Sequence, residues 1–121
     1  MMNILLISVG AVAGAIARWL LGIWLSPIFT TFAFGTLIAN WAGCLLIGVA
    51  MGLTLHDQHK LLIITGFLGS FTTFSSFSAE LSEKLLTGKW LEFSLTLGLH
   101  VVGGILLTVM GIILTSMVVS G

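Results

Sequence analysis

An all-α membrane protein of four transmembrane helices is the fold the sequence predicts, on three observations. Apolar residues make up 58% of the 121-residue chain, and mean hydropathy is +1.23. Charged side chains are only 7%, against roughly a quarter in a water-soluble domain. Four apolar stretches of spanning length, about 20 residues each, nearly exhaust the chain, with short polar knots between them. Four Lys and Arg balance four Asp and Glu, so the basic surface of a nucleic-acid binder is absent. The single cysteine, Cys44, sits in an apolar run and supports neither an intrachain disulfide nor a Cys-based metal site.

Residues 1–121 read as one domain with spans at about 4–25, 32–55, 61–86 and 93–119. The first begins Met-Met-Asn and carries Arg18 near its far end. It lacks the basic start and small-residue cleavage site of a signal peptide, and so reads as a mature span. The second runs from Phe32 to Leu55. The third opens with apolar residues from Leu61 to Phe71 and then turns hydroxyl-rich, TTFSSFSAELSEKLL, which is a poor face for lipid. The last, Phe93 to Val119, is long enough to tilt. Gly10 with Gly14, and Gly48 with Gly52, are GxxxG pairs of the kind that bring helices together. Trp19, Trp24 and Trp90 are placed as interfacial anchors, with Trp41 deeper.

Counting Lys and Arg in the short loops should orient the spans. Lys60 lies on the side of both termini, Lys84 and Lys89 lie opposite, and Arg18 falls within the membrane. That near-tie predicts insertion in both orientations, whose product is an antiparallel homodimer of dual topology. Size agrees, because four helices cannot both enclose a solvated pathway and shield their own polar groups from lipid.

Polar groups inside a span are expensive and mark candidate functional positions. The run from Gly66 to Glu80, GFLGSFTTFSSFSAE, is the foremost. Gly66 and Gly69, followed by Ser70, Thr72 and Thr73, predict a break in the third helix near its middle, with a restart at Thr72 or Thr73. The carbonyl end of such a break can coordinate a cation, and the restarting helix turns a positive dipole end toward anions. Phe74 and Phe77, with Phe71 and Leu81, fall on one helical face. Such a stripe is commonly core packing. Its interleaving with Thr73, Ser75, Ser76 and Ser78 offers an alternative, since Phe edges are electropositive and beside hydroxyl donors they suit a small, partly dehydrated anion.

Thr36 and Asn40 share a face of the second span, where an amide is either interhelical glue or a donor to a ligand. On the last span His100, Gly104, Thr108, Gly111 and Thr115 form a small or polar stripe, read as helix packing or as one side of a pathway. Arg18 and Glu80 are ionisable groups of the first and third spans. Glu80 can pair with Lys84 one turn on, and Arg18 can concentrate anions or snorkel to the interface. HDQH, at His56 to His59, is too short and exposed for a metal site. No nucleophile with a base, no phosphate-binding loop and no paired intramembrane carboxylates appear, so the chain does not read as an enzyme.

The run GFLGSFTTFSSFSAE closely resembles the third-helix signature of the Fluc (CrcB-type) fluoride channels. GTLIANWAG from Gly35 to Gly43 resembles their second-helix motif, and ARW at Ala17 to Trp19 completes the resemblance, which covers the whole chain. It implies a dual-topology homodimer in a microbial inner (plasma) membrane, with two fluoride pores, passively exporting fluoride. It also implies a structural Na+ at the dimer centre, held by backbone carbonyls of the broken third helix, here Gly69 and Thr72. By the same resemblance Phe74 and Phe77 line the pore, Asn40 is its asparagine, Thr36, Ser75 and Ser76 are vestibule hydroxyls, and Arg18 and Glu80 take motif positions. His100 and Thr108 fall on the fourth-helix polar track. Gly104 departs from the family there, since a serine is often found after the glycine that is Gly103 here. The rival outline is a small multidrug-type proton-coupled antiporter, which needs a first-span carboxylate; this first span has none.

Overall fold

The computed structural model describes residues 1–25 and 33–120. Helix α1 is Met2–Leu25 and α2 is Phe34–Gly52. Helix α3 runs over residues 57–71, as α-helix at Asp57–Lys60, π-helix at Leu61–Leu68 and α-helix at Gly69–Phe71. Helix α4 is Phe74–Leu86 and α5 is Trp90–Ser120. There is no strand among the described residues. The four candidate spans are α1, α2, the α3–α4 pair taken as Asp57–Leu86, and α5 to Val119.

Four spans are thus as expected, with shifted ends. The second stops at Gly52 rather than Leu55, because Leu53 is already extended; its expected start at Phe32 lies outside the described residues. The third and fourth begin earlier than expected, at Asp57 and Trp90. At 31 residues, α5 is about 46 Å long at 1.5 Å per residue, well beyond the hydrocarbon thickness. The turn before it is closed by Gly88, whose φ of +73° lets the Lys89 N–H reach the Lys84 carbonyl at 2.8 Å and the Gly88 N–H reach that of Leu85 at 3.3 Å. This is a Schellman cap, which glycine enters without steric cost.

Helix α1 packs along α3, and α2 along α5. Backbone comes against backbone at both crossings. A Cβ on Gly10 or Gly14 would collide with the carbonyls of Leu62 and Phe67, and one on Gly48 with that of Thr108. The GxxxG pairs are therefore helix contacts, which in lipid act through van der Waals packing and not through apolar burial. The protein core is small: Leu37, Ala39, Ala50, Leu68, Phe71 and Phe77 are its buried apolar side chains. Most large apolar residues, Trp19, Trp24 and Trp90 among them, face outward, as a bilayer solvent permits.

Candidate functional site: the broken third helix

The chain leaves the helix at two residues. Thr72 (φ −86°, ψ 154°) and Thr73 (φ −148°, ψ 121°) are extended, and α4 starts at Phe74 with Thr73 as its N-cap. The break thus comes where the glycines and threonines place it, with the restart at the later of the expected positions. An interrupted helix frees backbone groups that must find partners within protein, and α1 and α2 each supply a side chain.

Asn40 of α2 holds Thr73 at both backbone atoms. The Thr73 N–H donates to Asn40 Oδ1 at 2.8 Å, and Asn40 Nδ2 donates to the Thr73 carbonyl at 3.0 Å. Asn40 Nδ2 also lies 3.2 Å from His100 Nδ1. Since the Thr73 bonds fix which end of the amide is NH2, His100 Nδ1 must accept, which puts the ring proton on Nε2. Thr73 Oγ1 accepts from Ser76 N–H at 3.2 Å and sits 3.2 Å from Ser75 Oγ. The Thr72 N–H and hydroxyl both donate to the Leu68 carbonyl, at 3.1 and 2.8 Å. Gly43 leaves room for the Thr72 methyl, where a Cβ would clash.

Arg18 reaches the break from α1, its Nε donating to the Ser70 carbonyl at 3.2 Å. The break also turns backbone amides away from their helical acceptors. In an unbroken helix Gly69 would accept from Thr73 N–H and Thr72 from Ser76 N–H, and both amides are turned to other acceptors. Gly69 is also exposed on the surface of the protomer. Among the described residues no three His, Cys, Asp or Glu side chains gather.

The phenylalanines part company. Phe77 is 6% exposed and packs on the His100 ring, centroids 4.3 Å apart. Phe74 is 76% exposed, with its centroid 5.7 Å from that of Phe77 in an edge-on arrangement. Phe71 does not extend this stripe: it precedes the break and stacks on Phe67 at 5.3 Å, because the two extended residues reset the helical phase. A cavity of about 500 Å³ lies against the break, lined by Asn40, Thr72, Thr73, Phe74, Phe77 and His100 among others. A second, of about 360 Å³, shares His100, Cys44 and Val101 with it and runs on past Gly104 to Thr108. Together they make one groove down the flank of the protomer.

Not all of the other expected positions lie in that groove. Arg18 and Thr36 line a separate cavity of about 350 Å³ between α1 and α2. Ser75 is exposed beside Phe74, and Ser76 is half-buried in the first turn of α4. Glu80 Oε2 accepts the Ala33 N–H at the N-cap of α2, at 2.8 Å, and pairs with Lys84 at 3.4 Å. A carboxylate there opposes the positive helix end. Thr108 Oγ1 donates to the Cys44 carbonyl at 3.0 Å.

Sequence reasoning passed over Cys44. A Cβ on Gly104 would stand 3.1 Å from the Cys44 sulfur, so the thiol fills the space a side chain at 104 would need. It also missed Trp41, whose Nε1 donates to the Leu99 carbonyl at 2.9 Å, with Gly103 admitting the indole. The signal was available: two bare positions, Gly103 and Gly104, face the bulk of Trp41 and Cys44.

Residues 5–112 match the model of the family described as CrcB-like protein, Camphor Resistance (CrcB). A protein of Haemophilus ducreyi named fluoride-specific ion channel FluC is 54% identical over 121 residues, covering 100% of this chain and 98% of its own. Its namesake in Haemophilus influenzae PittGG is 49% identical over 117 residues, covering 93% and 91%. That of Pasteurella multocida is 44% identical over 115 residues, covering 91% and 90%.

Proposed function

Since the chain belongs to the CrcB-like family, we propose that it is a passive fluoride channel exporting fluoride across a microbial plasma membrane. The single observation that carries this reading is the groove beside the broken helix, lined by Phe77, Thr73 and Asn40 in a mostly apolar setting. Relatives named fluoride-specific ion channels at 44 to 54% identity over nearly the whole chain support the choice of ion.

Fluoride leaves water at a high cost, and hydroxyl and amide donors with electropositive ring edges replace its hydration. Phe74 and Phe77 present those edges, with His100 and Thr108 along the groove, Ser75 and Ser76 beside Phe74, and Thr36 in the separate cavity beside Arg18. Both Asn40 hydrogens are already engaged, one by the Thr73 carbonyl and one by His100. Fluoride arriving at Asn40 therefore competes with His100 for the second hydrogen while the first keeps the break in shape. Arg18 and Glu80 act around the groove, Arg18 by holding the Ser70 carbonyl and Glu80 by fixing the start of α2.

The groove is open on one side, and Phe74 projects from the protomer. A second copy, inserted in the opposite orientation as the loop charges imply, supplies the missing wall and gives two pores per antiparallel homodimer. Exposed Gly69 then lies toward the partner, and the carbonyls of Gly69 and Thr72, relieved of their helical amides, fit a structural Na+ at the dimer centre. The cation would offset the negative carbonyl ends gathered there. Ion flux from liposomes tests the reading: electrically driven fluoride release without a proton gradient supports a channel, and strict dependence on protons would point instead to an antiporter.

A further inference from the structure

Thr96 is 2% exposed, and its hydroxyl is the buried side-chain polar atom that has no hydrogen-bond partner among the described residues. Buried hydroxyls nearly always have one, and each exception needs a physical explanation. Thr96 lines a small cavity with Glu80, His100, Ala33, Leu37 and Leu99. Its volume of about 10 Å³ is room for one water molecule.

Three of its lining residues carry polar groups. Both hydrogen bonds of Glu80 end on Oε2, which leaves Oε1 without one among the described residues. His100 has Nδ1 turned to Asn40, so Nε2–H is the remaining polar atom of its ring. The third is the Thr96 hydroxyl. We propose that one water is bound in this cavity, accepting from His100 Nε2–H, donating to Glu80 Oε1 and bonding Thr96 Oγ1. Three bonds are the usual complement of a buried water. A fluoride ion is of similar size, but the Glu80 carboxylate in the wall disfavours it, and Lys84 is the cation already paired with that carboxylate.

The consequence reaches the break. A water that accepts from Nε2–H stabilises the tautomer in which Nδ1 takes the Asn40 amide, and Asn40 in turn fixes both backbone atoms of Thr73. Thr96 is therefore a positioning residue, acting through a water, His100 and Asn40 on a backbone one helix away.

The test is solid-state NMR of the full-length protein in liposomes, with 15N-labelled histidine and polarisation transfer from water. His100 is separated from the exposed His56 and His59 by comparison with His100→Asn. The wild type should show protonated Nε2, bare Nδ1 and transfer from an ordered water to Thr96 and His100. Thr96→Val, which keeps the shape and removes the hydroxyl, should lose that transfer and shift the His100 resonances; Thr96→Ser should keep both. None of these readouts needs ion flux. No water contact at Thr96 in the wild type, contact to fluoride in its place, protonated Nδ1, or a His100 spectrum unmoved in Thr96→Val would overturn the proposal. Should Thr96→Val fail to assemble, the wild-type spectrum decides alone.

Discussion

Asn40 and Thr73, 33 positions apart in the chain, are joined by two hydrogen bonds of 2.8 and 3.0 Å that pair one side-chain amide with both backbone atoms of one residue. An amide is suited to this because, like a peptide unit, it offers a donor and an acceptor on adjacent atoms. The extended conformation at Thr73 is thereby satisfied inside the membrane, where a bare peptide group costs several kcal/mol.

Substitutions at Asn40 should act through that pairing. Asn40→Asp keeps the acceptor for Thr73 N–H, removes the donor to the Thr73 carbonyl and His100, and adds charge that repels an anion. Asn40→Leu removes both bonds and leaves two backbone groups unmet, at about 1–3 kcal/mol each. Thermal unfolding in detergent should rank Leu below Asp in stability, and efflux should be lost in both.

Phe74 and Phe77 should separate packing from ion chemistry. Phe77→Ile disturbs a ring buried against His100 and should lower thermal stability along with flux. Phe74 is exposed in the protomer, so Phe74→Ile should leave protomer stability unchanged and reduce fluoride flux through loss of the ring edge. Well-assembled Phe74→Ile dimers conducting normally would refute the ring-edge mechanism.

Gly69 gives a test of the central cation. Among the described residues an added Cβ meets only the Ile64 carbonyl, at an unstrained 3.6 Å. On the proposed antiparallel dimer, a defect in Gly69→Ala therefore comes from what lies across the dimer axis. It should weaken dimerisation and its dependence on Na+, measured as the dimer fraction in Na+ against a large organic cation, whereas Ser70→Ala, which keeps the carbonyl that Arg18 binds, should be mild.

Dual insertion is tested with Gln58→Cys, an exposed position in the first turn of α3, in a Cys44→Ser background. Membrane-impermeant labelling should modify it from both faces. Modification from one face alone would remove the antiparallel arrangement.

Four spans and the position of the break were legible because both are local. Hydropathy over some 20 residues and a run of Gly, Ser and Thr determine them without reference to the rest of the chain. What meets the break was not legible. Asn40, Arg18 and His100 reach it, directly or through one another, across sequence separations of 33, 52 and 60 residues between bonded partners, and no single-helix periodicity encodes such partners. The divergence of Phe74 from Phe77, and of Phe71 from both, also depends on the helical phase lost over two extended residues. Asn40 read as glue or as ligand donor, and its geometry shows a single amide bonding backbone and imidazole at once.

The claim that this chain conducts fluoride is tested most directly by flux from liposomes loaded with potassium fluoride and potassium chloride together. Opening a potassium pathway with valinomycin should release fluoride quickly, at symmetric pH, while chloride stays inside. Retention of both ions, release of both at equal rates, or fluoride release only under a proton gradient would contradict a passive fluoride channel.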